Sequence, residues 1–167
     1  VLVNYQKEYS VSDRESVDAL YVAAGIGQVI ASRAFIAGAL GGCQAEIGSA
    51  SAMAAGALVS LRGGGERQIS HAAAMALKNL LGLVCDPVGG LVEVPCVKRN
   101  VIGAVNALSA ADMSLAGIES RISPDQVIDA MRELGEHMQP TLKETEEGGL
   151  PPNPDEKNDF IFVEGLV

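Results

Sequence analysis

Apolar positions along the chain recur at helical spacing, and alternation is confined to one short stretch. Val17, Leu20, Tyr21 and Ala24 predict a helix that starts at Ser12 or Asp13 and runs to about Ala39, with a break at Gly25 to Gly27. Gly41-Gly42 ends it. A second helix is expected from Cys43 to Leu61, and a third from Glu66 to Val84 after Gly63-Gly64-Gly65. Small residues from Val101 to Ile118 read as a fourth. Ser123-Pro124-Asp125-Gln126 combines a capping serine, a proline at the first helical position and a glutamine able to reach back. It opens a last helix whose apolar face is Val127, Ile128, Met131, Leu134 and Met138, and Pro140 stops it. Val1 to Val11 is polar and partly alternating, and reads as an arm or short strand. The expected fold is all-α: a single domain of five or six helices over 1–143, with an acidic, extended Pro/Gly-rich tail over 144–167.

Composition supports helices packed at short range. Alanine and the 19 glycines make up about a quarter of the 167 residues, aromatics only 4%, and the hydrophobic class 48%. That hydrophobicity excludes disorder, and the scarcity of aromatics disfavours an all-β fold. Of the net charge of −9, the segment 144–167 carries −6, from seven acids against Lys157. The acidity is thus a property of the tail. No basic stripe exists to neutralise phosphates, so nucleic acid is not an expected partner. Ala34 to Leu61 is long enough to cross a bilayer, but Gly41-Gly42 interrupts it and Glu46 lies near its centre, so no membrane span is expected. There is no signal peptide, and Val1 reads as the interior of a longer, cytoplasmic chain.

Two histidines offer little. His71 lies in an Ala-rich helix without a hydrolase motif around it, and His137 sits in the last turn of its helix, where imidazolium favours the dipole. The triple glycine matches neither a Walker loop nor a dinucleotide fingerprint. The cysteines say more. Cys43, Cys85 and Cys96 are odd in number, so they do not form a complete disulfide set. Cys85 and Cys96 bracket a loop with Pro87, Gly89, Gly90 and Pro95. Cys43 follows two glycines at a helix start, where the dipole is expected to favour thiolate. Three thiols at turns suit metal ligation better than core packing. Structural zinc normally takes four ligands at short paired spacings, which are absent, although His71 would complete a Cys₃His set. Three thiolates also suit a cubane iron–sulfur cluster with one iron left open, since electron-transfer clusters are commonly held by four. Unligated cysteines in a helical module that binds a partner subunit remain the alternative.

Four stretches then carry a family resemblance: Gly-Cys-Gln-Ala-Glu-Ile-Gly-Ser-Ala around Cys43, Gly-Leu-Val-Cys-Asp-Pro-Val-Gly-Gly around Cys85, Val-Pro-Cys-Val-Lys-Arg-Asn around Cys96, and Lys-Glu-Thr-Glu-Glu-Gly-Gly-Leu ending at Leu150. The chain resembles the iron–sulfur-dependent L-serine dehydratases from about residue 13 to Leu150, over their α chain or C-terminal catalytic domain. The resemblance implies deamination of L-serine to pyruvate and ammonia without pyridoxal phosphate. It also implies a [4Fe–4S] cluster on Cys43, Cys85 and Cys96, whose open iron acts on the substrate hydroxyl. Glu46 and His71 are the catalytic candidates, with Asp86 and Glu93 also near the cysteines. Lys98, Arg99 and Asn100 are the candidates for the substrate carboxylate. Glu46 would otherwise be a capping-box residue at its own helix start, and Asp86 would only shape the turn before Pro87. Implied partners are a missing N-terminal domain or β subunit and a second copy in a homodimer. The fragment alone is expected to turn over little or no serine. Some members carry a cysteine near the C-terminus that fills the open iron site; the tail here, ending Phe160 to Val167, has none.

Overall fold

The computed structural model describes residues 1–89 and 92–150; the tail beyond Leu150, and with it most of the expected acidic extension, lies outside the described residues. Among them are seven α-helices: α1 Leu2–Tyr9, α2 Asp13–Arg33, α3 Gly38–Gly41, α4 Ser49–Leu61, α5 Glu66–Lys78, α6 Cys96–Leu115 and α7 Pro124–His137. A π-turn, Gln44–Gly48, runs directly into α4, and a short 3₁₀ turn, Pro140–Leu142, follows α7. No strand occurs among the described residues, only one isolated parallel bridge between Cys85 and Lys143. The fold is all-α. Among the described residues, no helix is long and apolar enough to cross a membrane.

Helix α4 is the hub, packed by α2, α5 and α6. Its Ala52, Ala55, Ala57, Leu58 and Val59 are all buried. Small residues make this packing feasible: a Cβ at Gly56 would lie 2.3 Å from Ile26 Cδ1, and one at Gly103 would lie 2.7 Å from Ile47 Cγ2. Polar side chains fix the register of the hub. Ser51 Oγ donates to the Gly103 carbonyl at 2.8 Å, while the Asn106 amide donates to Ser51 Oγ and to the Ala76 carbonyl, each at 2.8 Å. One asparagine thus ties α6 to both α4 and α5.

Several boundaries and faces differ from the sequence expectation. The first eleven residues are no strand: Leu2–Tyr9 form α1, whose Leu2 packs on the core beside α4, and a left-handed Ser10 ends the helix. Helix α2 does not break at Gly25 to Gly27, but it ends at Arg33, short of the expected Ala39, and Gly41-Gly42 closes the separate short α3 instead. Arg33 pairs with Asp125 and Asp129 of α7. The buried face of α2 is also rotated. Val17, Leu20 and Tyr21 are 48%, 55% and 74% exposed, and Ala19, Ala23 and Ile30 are buried instead, because only small side chains allow α2 to approach α4 closely. Helix α5 stops at Lys78, and α6 starts at Cys96 rather than Val101. In α7 the Ser123–Gln126 capping box forms and Val127, Ile128 and Met131 are buried, but Leu134 is exposed.

Candidate metal centre

Each cysteine owes its position to a specific backbone device. Cys43 follows Gly42, whose φ of +77° is left-handed and whose absent side chain leaves room for the Leu83 carbonyl and Met138; a Cβ there would meet them at 2.8 and 2.7 Å. Gln44 then fastens the π-turn. Its backbone N–H donates to the Leu83 carbonyl at 2.9 Å, its side-chain amide donates to the Met131 carbonyl at 3.2 Å, and its side-chain oxygen accepts from Gly82 N–H at 2.8 Å. Cys85 is held by the chain that follows α7: its N–H donates to the Leu142 carbonyl at 2.9 Å and its carbonyl accepts from Glu144 N–H at 2.7 Å. Cys96 opens α6 at the far side of the loop, which closes through Val88 N–H to the Val94 carbonyl at 2.9 Å.

All three cysteines are buried and free. The sulfurs of Cys43 and Cys85 and a carboxylate oxygen of Glu46 lie within 4.8 Å of one another, a grouping able to hold a metal ion. Cys96 stands outside that tight group, although its thiol is near enough for its charge to act on Cys43. Glu46 does not cap its own helix. Its Oε1 accepts from the Gly38 N–H at 3.0 Å, so it holds the start of α3. Gly38 is pressed against the same group: a Cβ there would lie 2.9 Å from Cys85 Sγ and 3.1 Å from the Glu46 carboxylate.

Burial pushes the Cys43 and Cys85 thiols up from their ordinary value of 9.0, and for Cys85 the neighbouring Cys43 thiol adds to the rise. The helix-start effect expected to favour the Cys43 thiolate is therefore overcome by desolvation. The sign for stability follows directly. Above pH 9 the unfolded chain releases these thiol protons while the folded, metal-free chain retains them, so the unfolded state binds fewer protons and stability falls as pH rises. The metal-free protein should lose melting temperature between pH 8 and pH 10, measured by calorimetry under reducing conditions, and Cys85→Ala should flatten that slope.

Asp86 is more than a turn former. It is 3% exposed, pairs through Oδ1 with Arg99 Nη1, and accepts the Leu150 N–H on Oδ2 at 2.8 Å. Arg99 also donates to the Val84 carbonyl at 3.1 Å. Burial works against the Arg99 charge, but Asp86 and the Cys43 thiol raise its pKa above the ordinary guanidinium value. Three hydrogen-bonded elements, the Cys85 turn, the first turn of α6 and the segment ending at Leu150, thus meet at one carboxylate. Gly149, with φ +91°, packs so closely that a Cβ would lie 2.4 Å from Asp86 Cβ.

The remaining candidates are distributed differently. Asn100 donates to the Cys96 carbonyl at 3.0 Å, which ties it to its own helix, and Lys98 and Glu93 are exposed. His71 makes its contacts with the α6–α7 connection: its Nδ1 accepts from Ser120 N–H at 3.2 Å and its Nε2 lies 3.9 Å from Glu119. His137 Nδ1 bonds the Glu133 carbonyl at 2.8 Å within its own helix. Asp86 and the segment ending at Leu150 lie in stretches that resemble the family, but nothing in the sequence pairs them, and Gly38 carries no motif of its own.

The family model for the serine dehydratase alpha chain matches residues 1–151. The chain is 58% identical over 148 residues to "Probable L-serine dehydratase, alpha chain" of Latilactobacillus sakei, covering 89% of this chain and 71% of that one. It is 60% identical over 135 residues to the protein of the same name in Bacillus subtilis, covering 81% of this chain and 45% of that one. It is 49% identical over 150 residues to "L-serine dehydratase, alpha chain" of Peptoniphilus asaccharolyticus, covering 90% and 51% respectively. Two of these relatives are thus about twice as long as the matched region. With the family model covering all the described residues, the chain belongs to the serine dehydratase alpha chain family.

Proposed function

We propose that this chain is the cysteine-bearing catalytic portion of a cytoplasmic L-serine ammonia-lyase that converts L-serine to pyruvate and ammonia. The observation that carries the reading is the convergence of the buried Cys43 and Cys85 sulfurs with the Glu46 carboxylate. Soft thiolate donors select iron–sulfur clusters and other thiophilic metals, so the donor set fits a [4Fe–4S] cluster, with Cys96 as the third ligand. Bound there, the cluster would supply a Lewis acid for the departing β-hydroxyl at the iron that no cysteine holds. Pyridoxal phosphate has no role in this scheme.

The chain's own residues address the second difficulty, a weakly acidic α-hydrogen. Glu46 binds the Gly38 amide through Oε1, which leaves its second oxygen to take the α-proton. Removal of that proton and loss of the β-hydroxyl as water give aminoacrylate. This tautomerises to the imine, and water hydrolyses the imine to pyruvate and ammonia. His71 has no part in that sequence, because its contacts lie at the α6–α7 connection. Arg99 acts as a clamp on Asp86, and Lys98 and Asn100 are left as contacts for a substrate carboxylate or for the rest of the protein.

The test is anaerobic purification and reconstitution of the whole protein, including the domain or β subunit that completes it. A brown protein with iron and sulfide in cubane ratio, forming pyruvate from L-serine, supports the reading. A colourless protein with one bound zinc and no lyase activity would instead make it a non-catalytic, partner-binding helical module. The isolated chain should show little or no turnover beside the complete protein.

A further inference from the structure

A cavity of about 330 Å³ opens between α2 and the junction of the π-turn with α4, lined by Gln28 and Ala31 of α2, Ile36, Glu46, Ser49 and Met53, among others. Its size lies at the lower end of the usual range for small-molecule pockets, about 300–1,000 Å³. Glu46 belongs to both structures: it lines this cavity, and its carboxylate closes the group formed with Cys43 and Cys85. The cavity therefore leads from solvent to Glu46, whose carboxylate adjoins the two sulfurs.

Ser49 is the anomaly in its wall. The residue is 4% exposed, and its hydroxyl oxygen is buried without a hydrogen-bond partner among the described residues. A serine in a helix normally satisfies itself on the carbonyl one turn back. An unmet buried hydroxyl costs about 1–3 kcal/mol, and alanine, used at the neighbouring Ala45, Ala50 and Ala52, would avoid that cost. Ser49 lies three residues beyond Glu46, and both residues line this cavity.

We infer that the Ser49 hydroxyl is a substrate contact. It donates to the carboxylate of a small α-amino acid seated in this cavity and thereby presents the α-carbon to Glu46. This inference rests on the lyase reading above and deepens it, since it names the pocket through which the amino acid arrives.

The test uses the complete reconstituted protein. One lost hydrogen bond of about 1–1.5 kcal/mol corresponds to about a 5- to 12-fold change in affinity. Ser49→Ala should raise KM for L-serine by that factor with kcat nearly unchanged, and should weaken L-serine binding in calorimetry by the same factor. Iron content should stay at the unsubstituted value, and Tm without substrate should hold or rise, because the unpartnered buried hydroxyl is gone. Ala31→Phe, at an exposed position of the cavity wall, should raise KM by obstruction, again with iron content intact. If both variants bind L-serine as the unsubstituted protein does, or if Ser49→Ala loses stability or iron at constant KM, the assignment of Ser49 is wrong. If the unsubstituted protein forms no pyruvate, the lyase reading itself fails, a result distinct from either of those.

Discussion

Replacing Cys85 with serine should empty the metal centre of the reconstituted protein and lower pyruvate formation by about 10³-fold or more. The hydroxyl is a harder donor than the thiolate and is far less readily ionised, so it gives up the selectivity for iron–sulfur groups. A Lewis acid acting on a leaving group is worth several kcal/mol, and each 1.36 kcal/mol is tenfold in rate. Cys43→Ser should match it, because the two sulfurs and Glu46 form a single group. Cys96→Ser is the discriminating member of the series. A three-thiolate cluster requires it, so iron and sulfide should fall as they do for the other two. Full retention of metal in Cys96→Ser would show that the centre is a smaller site made of Cys43, Glu46 and Cys85. Iron and sulfide analysis decides this without reference to activity.

The parts of the molecule that are written locally were legible in the sequence. The capping box at Ser123 and the helical period of α4 and α7 each depend on neighbours a few residues away. The faces were harder to read. Pattern analysis gives most weight to the largest side chains, which in α2 are Val17, Leu20 and Tyr21. In a fold built on close helix approach the interior goes to Ala19 and Ala23, and the large residues are left outside. The π-turn after Cys43 and the start of α6 at Cys96 follow from tertiary contacts of the Cys85 loop, which no local signal reports. The same holds for the site. The cysteines announce themselves by residue type, whereas Glu46 is defined by Gly38, and Asp86 by Arg99 and Leu150, a partner 64 positions away.

Removing either member of the Asp86–Arg99 pair should be the most destabilising substitution outside the hydrophobic core. Asp86 is almost wholly buried and accepts from both Arg99 and the Leu150 amide. Asp86→Asn leaves the Arg99 guanidinium, already opposed by burial, without its counter-charge. Breaking a buried pair by removing one partner costs about 3–5 kcal/mol, which at roughly 2–4 °C per kcal/mol lowers Tm by about 6–20 °C in a domain of this size. Arg99→Gln should cost a comparable amount by stranding the carboxylate. The double variant should recover part of the loss, because no uncompensated charge then remains. The lesion should also reach the metal centre. Arg99 stands one turn from Cys96, and Asp86 adjoins Cys85, so iron content should fall with stability in each single variant. A substrate-binding Arg99 would behave otherwise: Arg99→Gln would raise KM for L-serine at unchanged Tm and iron content. The double-variant cycle in Tm, read beside iron content, separates a clamp that positions two ligands from an arginine that holds substrate.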